Sequence, residues 1–277
     1  MALFGVNNTV DIHQEENVSA EKIDTLYIAT SSADVEVRTI TGSEIEILLE
    51  GKMSENLAEN YNFKIIQKEN RLEVSFKTKQ STGFQLGVTI TNIKLKLSIP
   101  KKIYEDLQIE TSSGSIHLTD ISAKMLTSIS SSGSQTISGM EVDKRLFVKS
   151  SSGSINANEN KAGQARIRAS SGKIMLRGLV SNDTKLETSS GSIYYDNESV
   201  NGYLDCKASS GKVNIQLAES PASLYVEGRA NSGRVRVQLS ELAFKENSDH
   251  RIVASRGTGE NRINARTSSG SITVNER

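Results

Sequence analysis

The sequence predicts an all-β fold: a single-stranded β-helix, or β-solenoid, of about 19–20 residues per coil, right-handed by the default for parallel crossovers. Three observations lead there. A short phrase recurs, as TSSGSI at 111, SSSGSQ at 130, SSSGSI at 150, ASSGKI at 169, TSSGSI at 188, ASSGKV at 208, ANSGRV at 230 and TSSGSI at 267. Its glycines, Gly114, Gly133, Gly153, Gly172, Gly191, Gly211, Gly233 and Gly270, are spaced by 19, 20, 19, 19, 20, 22 and 37 residues, the last interval holding about two periods. Apolar residues stand two apart on both sides of each glycine, the period of a strand with one face in a core.

Each unit reads as strand, Ser-Ser-Gly corner, strand and variable return. Ile155 and Ala157, Ile174 and Leu176, Ile193 and Tyr195 follow their glycines, while Leu146 and Val148, Ala165 and Ile167, Leu204 and Cys206 precede theirs. Gln135 interrupts the inward column. Glycine is expected to supply a positive φ at the corner, and the serine before it a small hydroxyl for the neighbouring backbone. One such unit cannot bury its own apolar face and must stack on copies of itself. At about 4.8 Å per coil, Gly114 and Gly233, six coils apart in sequence, stand roughly 29 Å from each other. Alternate units show no odd-even difference, which argues against a propeller blade built from two of them. The spacing also departs from an 18-residue hexapeptide coil. A meander with Ser-Ser-Gly as each hairpin turn is compatible with the spacing, and the β-helix is preferred to it.

Residues 1–105 form a less regular β section expected to cap the stack of residues 106–277, the two making one continuous domain. Tyr27 to Val37 copies the repeat with Ala33 at the glycine position, a degenerate first coil. Strands are expected over Glu44–Leu49, Asn62–Ile66, Arg71–Phe76, Val88–Ile90 and Lys94–Ile99, with a short helix in Met53–Tyr61. Glu241–His250 interrupts the coils, and the final TSSGSITV is expected to close them.

A single cysteine, Cys206, forbids an internal disulfide, so stability rests on burial and hydrogen bonding. No apolar run approaches the roughly 18 residues of a membrane helix, so no transmembrane segment is expected. The first residues carry neither a basic leader nor a continuous apolar core, so a secretory signal is not read there and the location is expected to be cytoplasmic or peripheral to an envelope. Charge balances at 33 basic and 33 acidic residues but not along the chain. Residues 1–50 hold ten acids and two bases, whereas residues 106–277 hold 21 bases and 18 acids.

The stretch IPKKIYEDLQIETSSGSIHL at 99–118, followed by the SSGSI and SSGKI corners, resembles the bacterial "putative adhesin" domains of unknown function. IDTLYIATSSADVEV at 23–37 looks like the usual start of that family. The resemblance runs from about residue 20 to 277. It implies an all-β, β-helix-like domain tied to the bacterial cell envelope, and it carries no catalytic residues to transfer.

The residues themselves supply little chemistry. Enzymes on β-helices gather acids from adjacent coils, but Asp120 and Glu159 are separated by a coil bearing Gly139, and Asp196 with Glu198 reads as a loop. His13, His117 and His250 lack ligand spacing. Ser19 and Lys22 match SxxK without its companion motifs, and Cys206 sits in an inward column. No catalytic residue, metal or cofactor is therefore assigned.

The position four before each glycine faces outward and reads Glu110, Ile129, Lys149, Arg168, Glu187, Lys207, Arg229 and Arg266, with Arg166 and Lys185 beside it. Lys149, Arg166, Arg168, Lys185, Lys207 and Arg229 are the candidate ligand-binding residues: a cationic ridge suits an anionic wall polymer or lipid headgroups. Glu187 between Arg168 and Lys207 also suits a plain ion ladder. Outward Phe147, Tyr194, Tyr203 and Tyr225 offer a thin platform for a glycan. Lys173, Lys212 and Arg234 break up the serine rows that a flat hydroxyl array would need. The reading is a non-enzymatic scaffold or adhesion module with an envelope polymer, lipid, glycan or protein as partner and no nucleic acid. The alternatives are a carbohydrate-active enzyme on a β-helix and a regulatory binder of anionic envelope material. Ile174→Ser is expected to cost several kcal/mol through lost burial and an unsatisfied hydroxyl, while replacing Arg168 hardly alters folding. Thermal melts showing the reverse order would overturn the assignment of faces.

Overall fold

The computed structural model describes residues 8–78 and 91–277, and strand is its predominant secondary structure. β1 (Thr9–Ser19), β2 (Thr25–Thr30), β3 (Asp34–Ile40) and β4 (Glu44–Ser54) lead to a one-turn helix, α1 (Glu55–Ala58). Next come β5 (Tyr61–Lys68), β6 (Arg71–Thr78) and β7 (Thr91–Pro100). The strand expected over Val88–Ile90 lies outside the described residues. The repeats run through β8 (Ile103–Thr111), β9 (Ile116–Thr119), β10 (Ser122–Ser130), β11 (Gln135–Ser138) and β12 (Glu141–Ser150). β13 (Ile155–Ala169) and β14 (Ile174–Thr188) each run from one corner to the next. They are followed by β15 (Ile193–Asn197), β16 (Tyr203–Ala208) and β17 (Val213–Leu217). The C-terminal elements are β18 (Leu224–Ala230), β19 (Val235–Gln238), β20 (Ala243–Asn247), β21 (Arg251–Arg256), β22 (Asn261–Thr267) and β23 (Ile272–Glu276).

These strands form two ladders that meet at the Ser-Ser-Gly corners. Strands entering a corner pair in parallel with the entering strands of neighbouring repeats, as β8 does with β10, and leaving strands do the same, as β9 does with β11. The two strands flanking a corner pair with their counterparts and not with each other, which removes the hairpin-meander alternative. Like positions stand side by side: Ile155 opposes Ile174, and Ile167 opposes Leu186. The inward columns are buried throughout, Ile116, Ile155, Ile174 and Ile193 completely so. Gln135 is buried among them because its polar ends are satisfied. Ser128 Oγ donates to its Oε1 at 2.6 Å, and its Nε2 donates to the Lys149 carbonyl at 2.6 Å.

The corners correct one expectation. Among the described residues, positive φ occurs at the glycines Gly42, Gly51, Gly139, Gly178, Gly202, Gly257 and Gly259, and at none of the eight repeat glycines. What the corner requires is the absence of a side chain. A Cβ on Gly133 would lie 1.8 Å from the Gly114 carbonyl oxygen, one on Gly172 1.9 Å from that of Gly153, and one on Gly191 1.9 Å from that of Gly172. Where threonine stands three residues earlier it ties the corner further. Thr188 Oγ1 accepts from the Gly191 N–H at 3.1 Å and donates to the Gly172 carbonyl at 3.3 Å.

The row of glycines also shows the true order of coils. A Cβ on Gly114 would meet Ala33, so the β2–β3 unit does stack on the repeats, but it is not the first coil: β6 and β7 pair in parallel with β2 and β3 on the other side. At the far end Gly270 sits on Gly211, and Gly233 sits on Gly270. The final TSSGSITV therefore does not close the stack but lies between the coils of Gly211 and Gly233, with β22 paired to both β16 and β18 and β23 to both β17 and β19. Gly233 is consequently seven steps from Gly114 and not six.

Antiparallel strands extend both ladders at the N-terminal end and the β18 ladder at the other, which blunts edges that parallel coils would present, while β19 pairs with β23 alone among the described residues. β4 adds to β7 and β1 to β4, while β5 adds to β6. At the other end β21 adds to β18 and β20 to β21, in the segment that interrupts the coils. The outermost corner carbonyl, Gly233 O, is met by His250 Nδ1 at 2.7 Å. Glu276 fastens the same end by accepting from the backbone N–H groups of Ser220 and Ser240 at 3.0 and 3.1 Å and from the Ser240 hydroxyl.

Two outcomes follow. Gly172→Ala forces adjacent coils apart and is expected to lower stability by at least the ~1–3 kcal/mol typical of overpacking, whereas Ser171→Ala at the exposed neighbouring position changes it little; urea unfolding reads both. The hydroxyl of Ser240 first, then the N–H groups of Ser220 and Ser240, hold the Glu276 carboxyl at about 2, well below the usual carboxylate range. A depressed carboxyl stabilises the fold above its unfolded-state value near 4.5, and that contribution fades as pH falls towards 2. Glu276→Gln is therefore expected to lower the urea midpoint at pH 7, with the difference from wild type shrinking between pH 4.5 and pH 2. An equal difference at both ends of that window would refute the clamp.

Candidate functional site: a cationic row on the outer face

Parallel in-register pairing carries every residue of one outward column into a line along the stack, about 4.8 Å per step. The line reads Glu110, Ile129, Lys149, Arg168, Glu187, Lys207, Arg266, Arg229 and then Arg251. Arg266 precedes Arg229 because the C-terminal coil is inserted. Arg251 joins through the antiparallel β21, which carries no Ser-Ser-Gly phrase by which the sequence could place it. A second line beside the first holds Phe147, Arg166, Lys185 and Asp205.

Ion pairs divide these cations into two groups. Arg168 Nε lies 2.8 Å from Glu187, Arg266 Nη2 2.9 Å from Asp205, and Arg251 is shared by Glu227 at 3.0 Å and Glu246 at 2.7 Å. Half-buried Arg166 grips Asp183 with both Nη atoms at 3.0 and 2.6 Å, and its hydrogen bonds hold the Asp183 carboxyl below the usual range against the opposing effect of burial. Lys149, Lys185, Lys207 and Arg229 make no ion pair among the described residues. Lys149, Lys207 and Arg229 are exposed and Lys185 half-buried.

A shallow groove of about 260 Å³ lies along the line, lined by Lys149, Arg168, Glu187 and Lys207 together with corner serines such as Ser170, Ser189 and Ser209. A larger one of about 430 Å³ lies at the N-terminal end, on the outer faces of β1, β4, β7 and β3. Its walls mix Glu15, Glu36 and Glu46 with Arg38 and Lys96, and Lys96 is held by Glu50 at 2.7 Å. Acids outnumber cations there, whereas Lys149, Arg168 and Lys207 outnumber Glu187 in the smaller groove, which is the better candidate for an anion.

Other sequence candidates disperse. A Cβ at Gly139 would lie 2.0 Å from Asp120 Oδ1, and one at Gly178 2.4 Å from Glu159 Oε1, so each acid fills the space above the next coil's glycine and does not face the other. Asp196 pairs with Arg277 at 3.5 Å and Arg177 at 3.9 Å. Cys206 is wholly buried and its thiol pushed up by desolvation, as are the hydroxyls of buried Tyr104 and Tyr195. Tyr194 lies under Lys173 and Tyr225 under Arg262, on different ladders, which divides the aromatic platform. Among the described residues no three His, Cys, Asp or Glu side chains gather as a metal site. No helix there is long and apolar enough to cross a membrane.

Comparison with known proteins adds the following. The sequence profile of the Toastrack DUF4097 family matches residues 23–275. A Bacteroides fragilis protein described as a putative adhesin is similar in structure, with a TM-score of 0.52 and 15% identity over 95% of this chain and 96% of that one. A putative adhesin from Parabacteroides distasonis gives 0.52 and 13% over 95% and 97%. Another protein of that organism, described as a putative lipid binding protein, gives 0.53 and 15% over 95% and 96%. At such identities the likeness concerns the fold. No curated protein matches the chain.

Proposed function

The chain belongs to the Toastrack DUF4097 family, and from that premise we propose that it is a non-enzymatic interaction module of the bacterial cell envelope that binds anionic material through its cationic row. The same reading takes the chain as one continuous right-handed solenoid, residues 1–105 capping a stack formed by 106–277, with coils of 19 or 20 residues. Support for the coil length comes from β13 and β14, which pair at an offset of 19 residues. The solenoid-like fold, and neighbours described as adhesins or as lipid binding, favour binding over catalysis.

The observation that carries the proposal is the alignment of Lys149, Arg168, Lys207, Arg266 and Arg229 along one edge of the stack, with Lys185 in the adjacent line. A cation near an anionic lipid surface contributes about 1 kcal/mol. Four unpaired cations then give about 4 kcal/mol, a dissociation constant of order 1 mM. Arg168 and Arg266 still project positive charge, but their acidic partners reduce it. The interaction is thus weak, screened by salt and dependent on a repeating ligand or a charged surface.

Co-sedimentation with isolated bacterial wall and with anionic liposomes, each at low and high salt, tests the reading. Binding to either is expected at low salt, falling at high salt and lost in the Lys149→Glu/Arg168→Glu/Lys207→Glu variant. No sedimentation under any condition, or retention by the triple variant, would remove the row as a binding site.

A further inference from the structure

The coil formed by β22 and β23 separates two coils to which it is not adjacent in sequence. Asp205 and Glu227 both oppose Asn264, and Asn214 and Arg236 both oppose Thr273. Its predecessor β21 lies on the far side of β18, so the chain crosses β18 through residues 257–260 to enter the slot. The insert thus occupies a slot whose two walls, β16–β17 and β18–β19, both precede it in the chain.

The walls of that slot are selective. Both sides present parallel strand edges; the Gly211 corner requires glycine in the filler, and the filler's own corner carbonyl in turn requires glycine at 233. A Cβ on Gly270 would lie 1.9 Å from the Gly211 carbonyl oxygen, and one on Gly233 1.6 Å from that of Gly270. Between these corners the filler has to offer inward Ile263, Ala265, Ile272 and Val274, all fully buried. The chemistry that fits is a TSSGSITV coil, and a second copy of this chain carries the same one.

We propose that the C-terminal coil is exchanged between two copies, each filling the slot of the other. Every contact of the coil is then kept, and only the connection changes, the condition under which exchange between identical chains costs least. The connection is suited to it: Gly257 and Gly259 stand at φ +59° and +75° and can leave that region without steric penalty. The exchange also bears on the cationic row, since each copy would place its Arg266 between the Lys207 and Arg229 of the other. Two rows joined in one particle bind a polyanion by avidity, which a weak single row needs.

The test uses Asn214 and Thr273, half-buried neighbours on the outer face of β17 and β23. Full-length Asn214→Cys and Thr273→Cys chains bearing different affinity tags are co-expressed, oxidised and run on a non-reducing gel. Thr136→Cys, several coils away on the same face, replaces Asn214→Cys in the control pair. Exchange predicts a disulfide-linked heterodimer several-fold above the control, because Asn214 of one chain then opposes Thr273 of the other. No heterodimer, or one equal to the control, overturns it. A chain carrying both substitutions gives an independent reading. Interchain linkage supports exchange, and exclusive intrachain linkage at every protein concentration refutes it. Circular dichroism confirms that each variant is folded.

Discussion

The close approach of backbone to backbone at the Ser-Ser-Gly corner is the contact on which the rest depends. With less than 2 Å between a notional Cβ on Gly172 and the carbonyl oxygen of Gly153, a side chain and a tight stack exclude each other. That one constraint fixes the step between coils. The step fixes the register of the strands on both sides, and the register keeps the inward columns closed. A coil displaced by one residue would turn Ile174 and Leu176 outward and put the charged column into the core. Corner and core therefore specify the same alignment, the agreement between local and global preference that a foldable repeat requires.

The electrostatics follow from the register. Because each outward residue is carried one strand spacing along the stack, its neighbours in the line are chosen by alignment, not by proximity in sequence. Glu187 is placed between Arg168 and Lys207 and is taken by Arg168. Asp205 lies diagonally from Arg266 and takes that arginine. Of these two pairs, the exposed one of Arg168 with Glu187 contributes about 0–1 kcal/mol to stability, whereas the Asp205 side chain is largely buried. Their larger effect is to decide which cations keep their charge unshared. The acids thin the row unevenly and leave Lys149, Lys207 and Arg229 standing apart along it.

The repeat made the strands, their inward faces and the register of the charged column legible, since an 8-fold recurrence overrides the ambiguity of any single short strand. Two kinds of feature were not legible. The role of the corner glycines was misassigned to backbone conformation because sequence shows where a side chain is absent and not which contact requires its absence. Chain order at the C-terminal end was also hidden. The phrases at 230 and 267 fit the slot beside Gly211 by the same rules, and their sequence does not rank them. Arg251 stayed out of sight for a related reason: it reaches the row from an antiparallel strand with no phrase of its own.

The covered ends limit how such a stack can associate. β1 and β5 at one end and the β20–β21 hairpin beside β18 at the other replace parallel strand edges on which another coil would grow, His250 occupies the last corner carbonyl, and the Val235 N–H of β19 is taken by the Asp249 carbonyl. Simple end-to-end addition would have to displace these elements and their hydrogen bonds. Association that keeps them uses a lateral face, the outer edge of β19, or replacement of a coil within the stack by an identical one. Exchange of the C-terminal coil preserves both the caps and the glycine contacts, since Gly270 from either copy meets Gly211 and Gly233 in the same way. The constraint that makes the corner intolerant of any side chain is therefore also what makes one copy's coil interchangeable with another's.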